Sequence, residues 1–197
     1  LGYVMTVNGG VPAQSVRELI ALAKNKGEPI RYSSAGIGNG QHLAAELFRL
    51  KAGIPLLHVP YKGGGPALND LLAGQIQLMG GPMISALSLV TTKRLKAIAV
   101  TTARRVSALP DVPAIAETVS GYELSGWSGV LLPAGTPTAA VQKLNRAIDK
   151  TLQQAEVRRL LGEQGSEPVG GDAAAFAALI NNELKKYRTL LQSAGIT

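Results

Sequence analysis

An α/β fold built on a parallel sheet is predicted by three features of the sequence. Apolar runs of strand length alternate with longer segments whose apolar residues recur at helical spacing. Glycines and prolines fall at the joints between them. Of the 197 residues, 46% are hydrophobic and 17% are charged, a balance that favours a packed core over disorder. Aromatic residues are only 4%, so Ala, Leu, Val and Ile must fill most of that core.

Taken in order, Val4 to Val7 reads as a short strand. Pro12 stands where a helix can begin. Val16, Leu19, Ile20 and Ala23 follow at helical spacing until Gly27 and Pro29 stop the helix. Ile30 to Ser33 reads as a strand that runs into the turn Ser33-Ser34-Ala35-Gly36-Ile37-Gly38-Asn39-Gly40. Leu43, Leu47 and Leu50 mark the next helix, and Leu56 to Val59 a short buried strand. A second glycine-rich turn, Pro60-Tyr61-Lys62-Gly63-Gly64-Gly65-Pro66, leads into a helix through Leu68, Leu71 and Leu72. Ile76 to Met79 is a strand, Gly80-Gly81-Pro82 a turn, Ile84 to Thr91 a helix and Leu95 to Val100 a strand. Strands and helices alternating in this way imply parallel pairing.

The texture changes from Thr101 to Tyr122. Pro110 and Pro113 interrupt it, a short helix is expected near Ile115, and the stretch suits a connection between lobes. Trp127 to Leu132 reads as a strand. Thr136-Pro137 is a helix start, a capping hydroxyl followed by proline in the first turn. Val141, Leu144, Ile148 and Leu152 give that helix an apolar face, and two more helices follow near Glu156 to Gly162 and Asp172 to Ser193.

The formal charge of +7 comes from 20 basic and 13 acidic residues spread along the chain. The densest basic stretch, Lys93 to Arg105, holds no aromatic residue to stack on bases, so it reads as a solvated face and nucleic acid is not an expected partner. The lack of cysteine excludes disulfides, cysteine-bound metals and thiol catalysis. No apolar run approaches the ~18–20 residues of a membrane span, so lipid insertion is not expected. No signal peptide is visible. The chain opens on Leu1 inside a strand-like run, which points to a fragment lacking its own N-terminus.

The turn after Ile30–Ser33 is the sharpest chemical feature. A strand, then glycines that let the backbone approach a ligand, then a helix start can leave several N–H groups aimed one way. Such a nest attracts a carboxylate or phosphate. Ser33, Ser34 and Asn39 can add side-chain hydrogen bonds, and the plainer alternative is a tight turn with no ligand. Gly36, Gly38 and Gly40 do not have dinucleotide-fingerprint spacing, and the next strand ends in Val59-Pro60-Tyr61-Lys62 without the acid that would hold a ribose. No Gly-Lys-Ser/Thr follows a glycine loop, so a P-loop is excluded. No nucleotide, metal or other cofactor is expected.

The second turn also follows a strand, and ligands of open α/β sheets bind outside the carboxyl ends of the strands. Both turns are therefore expected to face one cleft, with Tyr61 offering a hydroxyl and Lys62 a positive charge. Either can equally be a packing or surface residue. His42 falls early in a helix and His58 within a strand, and both read as structural. No nucleophile elbow, no His-Glu-x-x-His and no cluster of metal spacing occurs, so catalysis is not expected.

Five segments carry a resemblance: Ser33 to Glu46 (SSAGIGNGQHLAAE), His58 to Asp70 (HVPYKGGGPALND), Leu71 to Met79 (LLAGQIQLM), Ala108 to Ala116 (ALPDVPAIA) and Leu131 to Pro137 (LLPAGTP). Together they closely resemble the Bug/TctC family, the periplasmic solute-binding proteins of tripartite tricarboxylate transporters. The likeness runs from about Val4 to Ile196. It implies a periplasmic-binding-protein type II, or Venus-flytrap, fold of two α/β lobes joined by crossing strands. It also implies a small carboxylate held in the cleft, partly through ordered water, and delivery to membrane permease subunits without chemistry. Residues 8–121 would form the second lobe, and 1–7 with 122–197 the remaining part of an incomplete first lobe. The family chain begins earlier, with a strand and a glycine-rich loop that supply half the cleft.

The expected ligand-binding set is Ser33, Ser34, Gly36, Gly38, Asn39, Gln41, Tyr61, Lys62, Gly63 and Gly81. Two departures from the family pattern stand out. Ser is usual where Asn39 stands, and Asp is frequent at the positions of Gln77 and Gly81. Loss of the second acid is expected to shift the ligand towards a more anionic or bulkier acid. The competing reading is the effector-binding domain of a LysR-type cytosolic transcription regulator, which shares the bilobed design but follows a helix-turn-helix segment that this sequence does not contain. An enzyme, such as a hydrolase, would need a nucleophile–base pair.

Overall fold

The first strand, β1 (Tyr3–Asn8), is an interior strand of a five-stranded sheet. The computed structural model describes residues 2–25 and 27–196. Leu1 and Thr197, the outer ends of the expected segments 1–7 and 122–197, lie outside the described residues, as does Lys26. The other strands are β2 (Ile30–Ser34), β3 (Leu56–Pro60), β4 (Leu78–Pro82) and β5 (Leu95–Val100), in the spatial order β3-β2-β4-β1-β5.

The expected parallel sheet is only partly what forms. β2 is parallel to β3 and to β4, but β1 lies antiparallel between β4 and β5. Val4, Met5, Thr6 and Val7 are all buried, as a strand covered on both faces requires. Hydrophobic periodicity marks a buried strand but carries no direction, so the inserted strand could not be read from it. Residues 3–7, expected with the other lobe, thus form an interior strand of this sheet, between β4 and β5.

β1 also explains a second difference. Gly80, Gly81 and Pro82 extend β4 instead of forming a turn, because Met5, Val4 and Tyr3 supply their ladder partners. The opposite happens at Trp127 to Leu132. No strand forms there, Val130 and Leu131 stand 62% and 72% exposed, and a nearby bridge joins Gly2 to Ser125. A segment with no neighbour to bond does not hold strand geometry.

The described residues form seven helices: α1 (Val16–Asn25), α2 (Gly40–Ala52), α3 (Gly64–Leu72), α4 (Met83–Thr91), α5 (Thr138–Leu152), α6 (Ala155–Glu163) and α7 (Ala173–Ala194). A single 3-10 turn at Ile115–Glu117 matches the short helix expected there. α1 starts at Val16, not near Pro12. The Ser15 hydroxyl accepts from the Glu18 N–H at 3.2 Å, while the Glu18 carboxylate accepts from the Gln14 N–H at 2.8 Å. α5 starts one residue later than expected, because the Thr136 hydroxyl turns back to donate to the Pro133 carbonyl.

One face of the sheet packs on α1, α2 and α7 through a core that includes Met5, Leu19, Ile30, Tyr32, Phe48, Leu78, Ile98 and Leu190. Tyr122 and Leu124 bury in the same core, and the Tyr122 hydroxyl donates to the Ala44 carbonyl at 3.0 Å. The other face packs on α3 through Ala67, Leu71 and Met79, and on α4 through Met83 and Ala86. α5 and α6 contain no buried residue, and Leu144 and Ile148 on the apolar face of α5 are exposed. No helix among the described residues is long and apolar enough to cross a membrane.

Candidate functional site

Three helices begin where β2, β3 and β4 end. β2 leads through the first glycine turn into α2, β3 through the second into α3, and β4 directly into α4. The two turns are tied to each other: the Tyr61 N–H donates to the Ser34 carbonyl at 3.0 Å and the Gly63 N–H to the Ala35 carbonyl at 3.2 Å. Between them lies an open cavity of about 370 Å3, bordered by Ala35 and Gln41, by Gly64 and Gly65, and by Gly81, Pro82 and Ser85. The two turns and the end of β4 therefore do face one space.

The first turn differs from a free nest of N–H groups, because side chains occupy part of it. The Ala35 N–H donates to Gln41 Oε1 at 2.8 Å and the Gly38 N–H to His42 Nδ1 at 3.0 Å. The Gly36 N–H makes a longer contact with the Ser34 hydroxyl, 3.3 Å. Asn39 caps α2, its carboxamide oxygen accepting from the His42 N–H at 2.9 Å. Among the described residues, the N–H groups of Ile37, Asn39, Gly40 and Gln41 have no partner. Those of Asn39, Gly40 and Gln41 stand at the cap and first turn of α2, its positive end, and that of Ile37 lies in the turn before it. Gly36 and Gly38 have φ of 148° and 76°, backbone that side chains other than glycine rarely adopt.

Beneath the turn lies a stack of three rings. Tyr32, His58 and His42 lie nearly parallel, with centroids 4.8 Å apart for Tyr32–His58 and 3.9 Å for His42–His58. The Tyr32 hydroxyl donates to Glu46 at 2.6 Å, and Arg49 holds the other Glu46 oxygen at 2.7 Å. Burial, then the Glu46 carboxylate, raises the Tyr32 hydroxyl far above its ordinary value. Burial lowers His42, opposed by Glu46. Burial and the neighbouring His42 ring lower His58 to about 4. Both imidazoles are neutral at physiological pH, as the acceptor role of His42 Nδ1 requires.

Ser34 and His58 form a contact that the sequence reading did not anticipate, Oγ to Nε2 at 2.7 Å. It has the look of a nucleophile–base pair but not the setting of one. Ser34 is fully buried, and its hydroxyl donates to the Gly36 carbonyl at 2.9 Å. A fully buried hydroxyl bonded to the backbone of its own turn is not placed to attack a substrate. The pair braces the turn.

The ten expected residues thus separate. Gln41 and Gly81 border the cavity, and Gly36, Gly38, Asn39 and Gly63 form the turns above it. Lys62 is exposed beside them. Ser34 is inward and internally bonded, and Ser33 is fully buried with no partner for its hydroxyl. The Tyr61 hydroxyl points along α3 to Asp70 at 2.6 Å, and burial and that bond push it up to about 12. Gly64, Gly65 and Ser85 were missed, and so was the Glu46–Tyr32 contact. A signal for the cap was present in the Asn39-x-x-His42 spacing. Nothing local marks the cavity, which exists only once β1 has aligned β4. No acidic residue borders it, and no group of three or more His, Asp or Glu residues among the described residues could hold a metal.

Residues 2–196 match the family model described as tripartite tricarboxylate transporter family receptor. A Pseudomonas sp. protein described as the UPF0065 protein in the tcbD-tcbE intergenic region is 35% identical, over 92% of this chain and 56% of its own length. The solved structure of an R. palustris protein with adipate has a TM-score of 0.92 at 32% identity, covering 100% of this chain and 66% of that one. The periplasmic binding protein BugD has a TM-score of 0.83 at 30% identity, covering 99% and 66%. The chain therefore spans little more than half of the Pseudomonas relative and just under two thirds of the solved chains. The reading as a regulator's effector domain draws no support from these likenesses.

Proposed function

The chain belongs to the tripartite tricarboxylate transporter receptor family, and we propose that it forms the gripping lobe of a periplasmic receptor that captures a small carboxylate. The receptor passes its ligand to the permease subunits of the transporter and does no chemistry on it. One observation carries the reading: two glycine turns and three helix starts converge on a single cavity that no acid borders. Unpartnered N–H groups at the start of α2, the exposed Lys62 nearby and the positive ends of α3 and α4 all favour an anion.

In this reading the ligand contacts come from Gln41, from the backbone of Gly36 to Asn39, from Lys62 and Gly63, and from the open face at Gly81. Ser33, Ser34 and Tyr61 act behind them, holding the turns. Residues 8–121, with β1 threaded through their sheet, make one lobe. The segments bridged at Gly2 and Ser125 lead towards the other, to which 122–196 contribute in part, since α7 also packs into this lobe's core through Leu190. The exposed Leu144 and Ile148 of α5 fit a surface that packs against further protein.

The natural full-length protein, purified without denaturation and examined by native mass spectrometry, is expected to carry a small organic acid that unfolding releases. Recovery of a nucleotide or a nucleic acid in its place would contradict the proposal, as would turnover of the bound acid.

A further inference from the structure

The sequence contains two Asn-Gly pairs, Asn8-Gly9 and Asn39-Gly40, and the structure sets them apart. In such a pair the backbone nitrogen of the glycine can attack the asparagine side-chain carbon, because glycine has no Cβ to shield it. A bond forms between that nitrogen and Cγ, and the Cγ–Nδ2 bond breaks. The side-chain nitrogen leaves as ammonia, taking the proton displaced from the glycine nitrogen. Water then opens the succinimide ring to an aspartyl or isoaspartyl residue.

At Asn39 the reacting groups are free or favourably held. The Gly40 N–H has no partner among the described residues and stands at the positive end of α2, which favours loss of its proton. Asn39 Oδ1 accepts from the His42 N–H at 2.9 Å, a donor placed to stabilise the negative charge that gathers on that oxygen during attack. Asn39 Nδ2, the leaving nitrogen, has no partner among the described residues. The residue is half-buried, so water reaches the ring that forms. Closure turns the Asn39 backbone and gives up the bond from the Leu43 N–H to its carbonyl, 3.0 Å. Asn8 is the opposite case. Its Nδ2 donates to the Leu71 and Leu72 carbonyls at 2.9 and 3.2 Å, and its Oδ1 accepts from the Gly10 N–H at 2.8 Å. Its own carbonyl accepts from the Val11 N–H at 3.0 Å, and its N–H donates to the Gln77 carbonyl at 3.2 Å.

We propose that Asn39 is a site of spontaneous deamidation, and that the product retires the binding turn. A carboxylate at position 39 caps α2 as the amide did and draws on the same unpartnered N–H groups that a ligand anion would use. It also sets a fixed negative charge beside them. The isoaspartyl form further lengthens the backbone by one carbon where α2 begins. This consequence rests on the receptor reading above, whereas the chemistry at Asn39 does not.

The test incubates the natural full-length protein in mildly alkaline buffer and follows the peptides holding Asn8 and Asn39 by mass spectrometry. Asn39 is expected to gain the one dalton of deamidation at least about tenfold faster than Asn8. In urea-unfolded protein the two rates are expected to converge, since glycine follows both. Fresh protein, aged protein separated by anion exchange, and the Asn39→Asp variant are then titrated calorimetrically with acetate, succinate and citrate. The aged and Asn39→Asp forms are expected to bind at least about tenfold more weakly than fresh protein. Asn39→Ser, which cannot close the ring, is expected to hold its starting affinity through the same incubation. A folded-state rate at Asn39 equal to or below that at Asn8 would overturn the proposal. Equal affinity of fresh and aged protein would overturn the proposed effect on binding. Absence of acid binding by fresh protein would overturn the receptor reading and that effect with it, leaving the modification, judged by mass, standing.

Discussion

Gly38 donates its backbone N–H to Nδ1 of His42 at 3.0 Å, so the turn that frames the site is fastened by a ring that must stay unprotonated. The same ring stacks on His58 at 3.9 Å, and His58 in turn reaches Ser34 at the start of the turn. Both ends of the loop are therefore held from below by a pair of neutral imidazoles.

This arrangement makes the turn acid-labile. Burial depresses both histidines, and the His42 ring depresses His58 further, to about 4. A depressed histidine binds fewer protons in the folded state, so stability is complete above the ordinary histidine value of about 6.5 and declines as pH falls towards about 4. Tyr32 stays uncharged throughout that range, because burial and the Glu46 carboxylate raise its hydroxyl. The expected loss is on the order of 2 kcal/mol at about pH 4.5, measured by urea unfolding. Histidine ring NMR signals that titrate above pH 6.5 would contradict it.

Gly40 opens α2 directly over Tyr3. A Cβ there would lie 2.0 Å from the Tyr3 hydroxyl oxygen and 2.8 Å from Cζ. Gly40→Ala is therefore expected to destabilise the protein by about 1–3 kcal/mol, against a helix-propensity gain of about 1 kcal/mol. Removing the hydroxyl as well, in Gly40→Ala with Tyr3→Phe, is expected to recover part of the loss. A single variant more stable than wild type in thermal melts would show that the ring moves aside freely.

Gly81 has room for a side chain and no left-handed backbone to forbid one. Gly81→Asp would put a carboxylate into the anion-binding space. The expected outcome is a folded protein whose affinity for dicarboxylates falls by about tenfold or more relative to monocarboxylates, through like-charge repulsion. Titration against a panel of both kinds reads the change directly, and an unaltered preference would remove Gly81 from the site.

Much of this was legible in the sequence because it is local. The strand–glycine–helix spacing located α2, α3 and both turns, and the motifs around Ser33 to Glu46 and His58 to Asp70 located the family. What was not legible depends on partners distant in the chain. β1 lies antiparallel in the sheet because β4 and β5, more than 70 residues on, leave a place between them. That pairing draws Gly80 to Pro82 out of a turn and into β4. Trp127 to Leu132 has strand composition but no neighbour. The nest was expected to be open, yet Gln41 and His42 fold back on it, a tertiary choice that glycine spacing cannot encode.

The central claim is that the turn around Gly38 grips a carboxylate. Calorimetric titration of the full-length protein and its Gly38→Val variant with the acid that co-purifies with the wild type tests it most directly. Gly38 sits at φ 76° with nothing within 4 Å of an added Cβ, so valine strains the turn and covers the approach without disturbing the core. Saturable binding by the wild type and none by the variant is expected, with the circular dichroism spectrum retained. Binding of equal strength by the folded variant would contradict it.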